Sequence, residues 1–397
     1  MEFEFVKDQR SAKIKVIGVG GAGNNAIDNM ITSGLKGVAF IAANTDLQDL
    51  ESSLAPIKLQ LGAELTKGLG CGADPEVGRA AAMEDLERIK EVLSDSDMIF
   101  ITAGMGGGTG TGAAPVIAEC LKELKDPPLT VAVVTKPFLF EGGRRARQAV
   151  EGIERLKQSA DTIITIPNDR LMSMAPRGCN IKDAFKMADD VLLQAVRGVS
   201  DLILLNGYVN VDFNDCRNIM ANRGHALMGT GLAAGPDRAK MAAQAAVNSP
   251  LLEDASIQGA QGILINISSS ENNVTLEEVH DACNLIQKDA HPDANVIFGV
   301  AWDNGLEDKL RITVIATGIG NKEQLAALPR LEERAHLATL DEVARNTRYY
   351  ERPTRERRPR TESRPGPVER PPFSKYENFG SDEEDLERPT FMRKNAD

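Results

Sequence analysis

Between Gly104 and Gly112 the chain reads Gly-Met-Gly-Gly-Gly-Thr-Gly-Thr-Gly, and this run, almost without side chains, sets the tightest limit on the fold. The apolar stretch Met98-Ile99-Phe100-Ile101 precedes it, and a helix is predicted to begin near Ala113-Ala114-Pro115. A purely flexible linker has no reason to lie between a buried strand and a helix start. Glycine admits positive φ and lets a ligand approach the main chain. Free N–H groups at a helix start, together with the helix dipole, attract negative charge. Thr109 and Thr111 add hydroxyl donors. The guest that fits is a phosphate chain.

The text around this loop alternates between two periodicities. Strands are predicted at Ile14–Val19, Val38–Ala42, Met98–Thr102, Leu129–Val134 and Thr162–Ile166, with helices between them that include Pro75–Leu93 and Ala146–Gln158. That order implies βαβ units and a mainly parallel sheet, in which ligands bind at the carboxyl ends of the strands. From Ile181 to Val196 apolar residues recur at helical spacing, which predicts a long helix packed between two halves. A second unit follows, with strands expected at Ala226–Ala234, Gly262–Ile267, Val296–Trp302 and Arg311–Ala316 and a helix at Leu276–Lys288. The expected fold class is α/β: a parallel-sheet, Rossmann-like nucleotide domain, a central helix, a second α+β domain and a disordered C-terminal tail. The boundaries are an N-terminal extension over 1–12, the nucleotide domain over 13–180, the central helix over 181–205, the second domain over 206–320, a linker over 321–380 and a terminal peptide over 381–397.

Composition excludes several classes. A net charge of −12 argues against general nucleic-acid binding, which needs a basic face. The five cysteines are scattered, with no CxxC or Cys/His cluster, which predicts a reduced cytosolic protein without a zinc site. The acidic start has no apolar signal core, and no run reaches the roughly 18 apolar residues of a membrane helix. Membrane association is therefore expected to come through partners. The stretch from Tyr349 to Gly380 is dominated by Arg, Glu and Pro, too poor in apolar residues to fold. Beyond it, Pro389, Phe391, Met392, Arg393 and Lys394 put apolar residues beside cations, a pattern suited to a docking peptide.

A second glycine turn sharpens the nucleotide reading. Gly18-Val-Gly-Gly-Ala-Gly23 follows the first strand and satisfies GxGxxG, and Asp46 lies where a ribose contact would fall. These residues alone leave a dinucleotide-binding Rossmann enzyme open. Two glycine turns aimed at one place suit a triphosphate better. No GxxxxGK followed by Ser or Thr is present, so backbone amides and hydroxyls must hold the phosphates, with Mg²⁺ as charge neutraliser.

Together, Gly104–Gly112 and Gly21-Ala-Gly-Asn-Asn25 resemble the signature of the tubulin/FtsZ GTPase family. Further matches are Asn44-Thr45-Asp46, Thr135–Gly142, Ile166–Arg170 and Asn210–Asp215, and the likeness covers Lys13 to about Gly320 and resumes at Pro389–Lys394. The resemblance implies binding of GTP and GDP. Gly21, Ala22, Gly23, Asn24, Asn25, Gly104, Gly106, Gly107, Gly108, Thr109, Gly110 and Thr111 would surround the phosphates, with Asn44 and Thr45 nearby. Glu141 and Arg145 would contact the ribose, Asn168 the sugar or base, and Phe185 would stack on guanine. Asp190 would accept hydrogen bonds from the guanine N1 and N2 donors, a pair that adenine does not offer. Read without the resemblance, Phe185 belongs to an apolar helix face, Asp190 is a solvated charge, and Glu141 and Arg145 form a surface ion pair.

No base for activating water lies close to the glycine loops. By resemblance, Asp212 and Asp215, with Asn210, belong to a loop that enters the next subunit's nucleotide site and polarises the attacking water. The active site would then exist only at a head-to-tail contact, and a heterologous contact that does not close gives an open filament. The resemblance further implies a cytokinetic ring beneath the inner membrane, tethered through the terminal peptide, with no direct membrane insertion and no nucleic acid. The chain departs from the family pattern at Asn206-Gly-Tyr-Val209, at Cys216, at Ala22 and at Met392.

Overall fold

The computed structural model describes residues 12–319 apart from 177, 205–208, 222, 253–256, 258, 272 and 292. The chain opens with β1 (Ile14–Val19), α1 (Gly20–Thr32), β2 (Val38–Asn44), α2 (Leu47–Ser52), β3 (Ile57–Gln60) and α3 (Ala63–Thr66). It continues through α4 (Pro75–Glu84), α5 (Leu86–Leu93), β4 (Met98–Gly104), α6 (Thr109–Lys122), β5 (Leu129–Lys136), α7 (Gly143–Ser159), β6 (Thr162–Pro167) and α8 (Asn168–Met174). After the long α9 (Ile181–Leu204) come α10 (Phe213–Met220), β7 (Gly224–Ala233), α11 (Arg238–Val247), β8 (Gly262–Ser269), α12 (Leu276–Lys288), β9 (Asn295–Trp302) and β10 (Leu310–Thr317).

The strands form one sheet in the order β3-β2-β1-β4-β5-β6-β7-β10-β8-β9. From β3 to β7 every pairing is parallel, whereas β10 runs antiparallel to both β7 and β8. Alternation within each strand sends side chains to opposite faces. Val16, Phe100 and Val131 pack with α1 and α9 on one face, while Ile17, Ile101 and Ala132 pack with α4, α6 and α7 on the other. Both faces are covered, so the central strands read as unbroken apolar runs. A third apolar cluster lies under α11 and α12. The expected second unit continues the same sheet, joined to the first at Thr162↔Gly224, Ile163↔His225 and Ile164↔Ala226.

Two boundaries differ from expectation for local reasons. Helix α6 begins at Thr109, not near Ala113, and carries Pro115 inside it. Its first turn is made of the glycine run because α4 presses on it: a Cβ on Gly112 would sit 2.0 Å from the Pro75 carbonyl oxygen. The helix expected over Pro75–Leu93 is two helices, α4 and α5, broken at Asp85. The buried Asp85 carboxylate accepts the Gly62 N–H at 2.7 Å, a bond that holds the α2–α4 crossover against the break. Helix α9 runs from Ile181 to Leu204. The N-terminal residues 1–11, the linker and the terminal peptide with Pro389, Phe391, Met392, Arg393 and Lys394 lie outside the described residues.

Candidate nucleotide site

The carboxyl ends of β1, β4, β5 and β6 open on a cleft of about 300 Å³. Its floor is made by the two glycine turns, Gly20, Gly21, Ala22 and Asn25 from one and Gly107, Gly108, Thr109 and Gly110 from the other. The turns touch closely: a Cβ on Gly104 would lie 2.6 Å from that of Ala22, and one on Gly20, at φ +74°, would lie 3.0 Å from the Gly110 nitrogen. Only glycine permits that approach.

Helices α1 and α6 both start at this floor, and neither has a side-chain cap or an acidic residue in its first turn. Four other helices carry side-chain caps, Asp46 on α2, Asp74 on α4, Asp212 on α10 and Thr275 on α12. The first four N–H groups of a helix lack internal partners. Two sets of them, with both dipoles, therefore converge on one cleft. That electrostatic arrangement calls for a multiply charged anion.

A second layer fixes the loops. The Thr45 hydroxyl lies 2.7 Å from the Thr109 hydroxyl and 3.2 Å from the Cys71 sulfur. Thr111 Oγ1 accepts the Gly106 N–H at 2.8 Å. Asn44 turns inward, its carbonyl accepting the Thr45 N–H and its amide donating to Asp49. Gly23 packs on the Thr102 carbonyl, where a Cβ would come within 2.6 Å. Asn44, Thr45, Gly23, Asn24, Gly106 and Thr111 thus stand behind the cleft wall and shape it. Asp46 is committed to the α2 cap, which removes it from the ribose role of a dinucleotide enzyme.

The walls carry the remaining expected groups. Glu141 is fixed by the Phe138 N–H at 2.9 Å and by Arg145 at 2.6 Å, and both Glu141 and Arg145 line the cleft. Phe185 is 40% exposed, so it is not a core residue. It forms a T-shaped pair with Phe138, ring centroids 5.4 Å apart, and lines the cleft. Asn168 lines the cleft with a buried Oδ1 that lacks a partner, and both side-chain polar atoms of buried Asn24 are likewise unpaired. Such orphans cost roughly 1–3 kcal/mol each until something bonds to them.

The acidic residue that lines the cleft beside Phe185 is Asp189, not Asp190. Asp190 turns away and accepts a hydrogen bond from the Asn29 amide at 2.9 Å. Spacing carried this signal: a residue four beyond Phe185 shares its helix face, and one five beyond does not. Burial, with Asp190 beside it, raises the Asp189 carboxyl to about 7.

Asp212 and Asp215 are exposed and lie at the other end of α9. From Leu192, the last cleft-lining residue, to Leu204 the helix climbs about 18 Å at its usual rise. The cap of α10 is Asp212, whose carboxylate accepts the Asn214 N–H at 2.9 Å, and Asp215 follows in the first turn. The structure does not bring Asn210, Asp212 and Asp215 to the cleft of their own chain. Among the described residues no group of three His, Cys, Asp or Glu side chains is placed to hold a metal.

Helix starts without caps at the carboxyl ends of a parallel sheet define an α/β protein whose main chain offers free N–H groups to an anion. The model of the Tubulin/FtsZ family, GTPase domain, matches residues 13–176, and that of the FtsZ family, C-terminal domain, matches residues 224–320. The cell division protein FtsZ of Azotobacter vinelandii is 47% identical over the full length of both chains. That of Pseudomonas aeruginosa is 52% identical over 80% of each. A solved structure, the empty FtsZ dimer of M. jannaschii, is 46% identical with a TM-score of 0.75, covering 79% of this chain and 90% of that one. The chain belongs to the tubulin/FtsZ family and carries its GTPase domain.

Proposed function

We propose that the chain is a polymerising GTPase of bacterial cell division, which hydrolyses GTP to GDP and phosphate at the contact between successive subunits. The carrying observation is the pair of uncapped helix starts facing one cleft, with the carboxylates needed for water activation on the far side of the molecule. Backbone amides of both turns hold the phosphates, Glu141 and Arg145 the ribose, and Phe185 and Asn168 the base. Asp189 replaces Asp190 as acceptor for the guanine N1 and N2 donors. Asp212 and Asp215, with Asn210, polarise water in the neighbouring subunit's cleft. A bound Mg²⁺ would supply charge neutralisation for the phosphates that the two glycine turns hold.

Surface chemistry supports head-to-tail assembly. Leu139 and Phe140, 80% and 61% exposed, flank Glu141 near the cleft, and Leu276 is 87% exposed at the start of α12. Large apolar residues left in water favour a covering partner. The filament builds the division ring and reaches membrane tethers through Pro389, Phe391, Met392, Arg393 and Lys394. No helix among the described residues is long and apolar enough to cross a membrane.

If the site is completed in trans, GTP turnover per molecule rises with protein concentration above a threshold. Phosphate release measured beside sedimentation, with and without Mg²⁺, tests this. Constant specific activity across a wide dilution series would sink the proposal.

The Asp189 carboxyl gives a pH signature. Below about 7 the empty cleft holds a protonated acid, which cannot accept both guanine donors, so binding must expel the proton. GDP affinity should fall about tenfold per pH unit below that point and level off above it. Calorimetric titration on both sides of the midpoint measures the slope, and Asp189→Asn should abolish it. An equal slope in wild type and variant would assign the titration elsewhere.

A further inference from the structure

The contact between Asn29 and Asp190 plays no part in the scheme above, yet it joins the two helices that hold opposite ends of the nucleotide. Helix α1 begins at the phosphate turn, where Gly20, Gly21, Ala22 and Asn25 line the cleft. Two turns further on, the partly buried Asn29 amide donates to Asp190 on α9 at 2.9 Å. One residue before Asp190, Asp189 faces the cleft, and Phe185 lies one turn earlier on the same wall. A second clasp ties the same helices beyond α1, where Arg197 donates to the Ser33 carbonyl at 3.0 Å. Asn29 thus acts on the stretch of α9 that lines the cleft, and the Arg197 clasp holds the helix two turns beyond Asp190.

We propose that Asn29 and Asp190 are positioning residues for base selection: their hydrogen bond sets the rotation of α9 that places Asp189 against the Watson–Crick edge of guanine. This rests on Asp189 being the acceptor for guanine. A helix rotated by a few degrees keeps its stacking contact through Phe185 but misdirects a carboxylate that must meet two donors at once, since hydrogen bonds weaken steeply as their angle degrades. The pair therefore governs discrimination more than overall grip. Asp190 needs only an acceptor oxygen for this role, so an amide replaces it.

The test compares GDP with IDP, whose base lacks the 2-amino donor, on the full-length chain. A charge-assisted hydrogen bond at that position separates the two by roughly tenfold or more. Asn29→Ala and Asp190→Ala should each lower the GDP/IDP affinity ratio to about threefold or less, while IDP affinity changes little. Asp190→Asn, which keeps the acceptor, should retain the wild-type ratio. In turnover, Asn29→Ala should raise KM for GTP and leave kcat unchanged. Asp189→Ala separates the two possible failures. If it leaves the ratio intact, Asp189 does not read the base. If it collapses the ratio while Asn29→Ala and Asp190→Ala do not, Asp189 reads the base without this pair, and the positioning proposal is overturned. Loss of the ratio in Asp190→Asn as severe as in Asp190→Ala also overturns it, because charge and not the hydrogen bond would then be at work.

Discussion

Replacing Asp215 by Ala should leave GTP binding intact and reduce hydrolysis by about 10²–10⁴-fold, the usual contribution of a positioned acid or base. The side chain is exposed at the far end of α9 from the cleft, so it has no route to the bound nucleotide of its own chain. It also makes no capping bond, which makes it a cleaner probe than Asp212. Asp212→Ala would remove the α10 cap as well as a carboxylate, at about 0.5–2 kcal/mol of stability. Asp212→Asn keeps the cap and isolates the charge. Phosphate release from Asp215→Ala at the wild-type rate would refute the catalytic assignment. Mixing Asp215→Ala with a variant unable to bind nucleotide gives the complementary result. The second variant still carries Asp215 and can donate it to a neighbour's cleft, so part of the activity should return.

The phosphate floor predicts an equally large effect on binding. At Gly110 an added Cβ would lie 2.6 Å from the Gly104 carbonyl oxygen and 3.3 Å from that of Val19. Both are main-chain atoms, so the start of α6 must move. A displacement near 1 Å at such a site costs on the order of 10² in function. Gly110→Ala should therefore weaken GDP binding about a hundredfold. Gly107 lines the same cleft but has open space around the position of a Cβ. Gly107→Ala is expected to bind within a few-fold of wild type. Equal affinities for the two variants, measured by calorimetry with folding checked by circular dichroism, would mean that the turns do not hold the phosphates as argued.

Most of the architecture was legible because buried parallel strands and amphipathic helices leave different periods in the text. Both glycine turns were legible as well, since no other residue satisfies positive φ and close approach together. What was hidden depends on contacts across the chain. The start of α6 was misplaced because its first turn is chosen by the pressure of α4 on Gly112, not by local propensity. Thr111 read as a hydroxyl donor to the phosphates, with Asn44 and Thr45 nearby, whereas each hydroxyl or amide has a neighbour within the protein as its partner. The carboxylate that lines the cleft beside Phe185 was assigned one residue late. Helical spacing from Phe185 held the answer, but two adjacent aspartates made it easy to overlook until the Asn29 contact separated them.

The bare starts of α1 and α6 make the nucleotide part of the folding equilibrium as well as a substrate. A ligand that binds only the native state stabilises it by RT ln(1 + [L]/Kd), about 2.7 kcal/mol at a hundredfold excess over Kd. The guanine nucleotide pool would then set how much of the chain survives proteolysis, so a fall in that pool would thin the supply of subunits as well as slow their turnover.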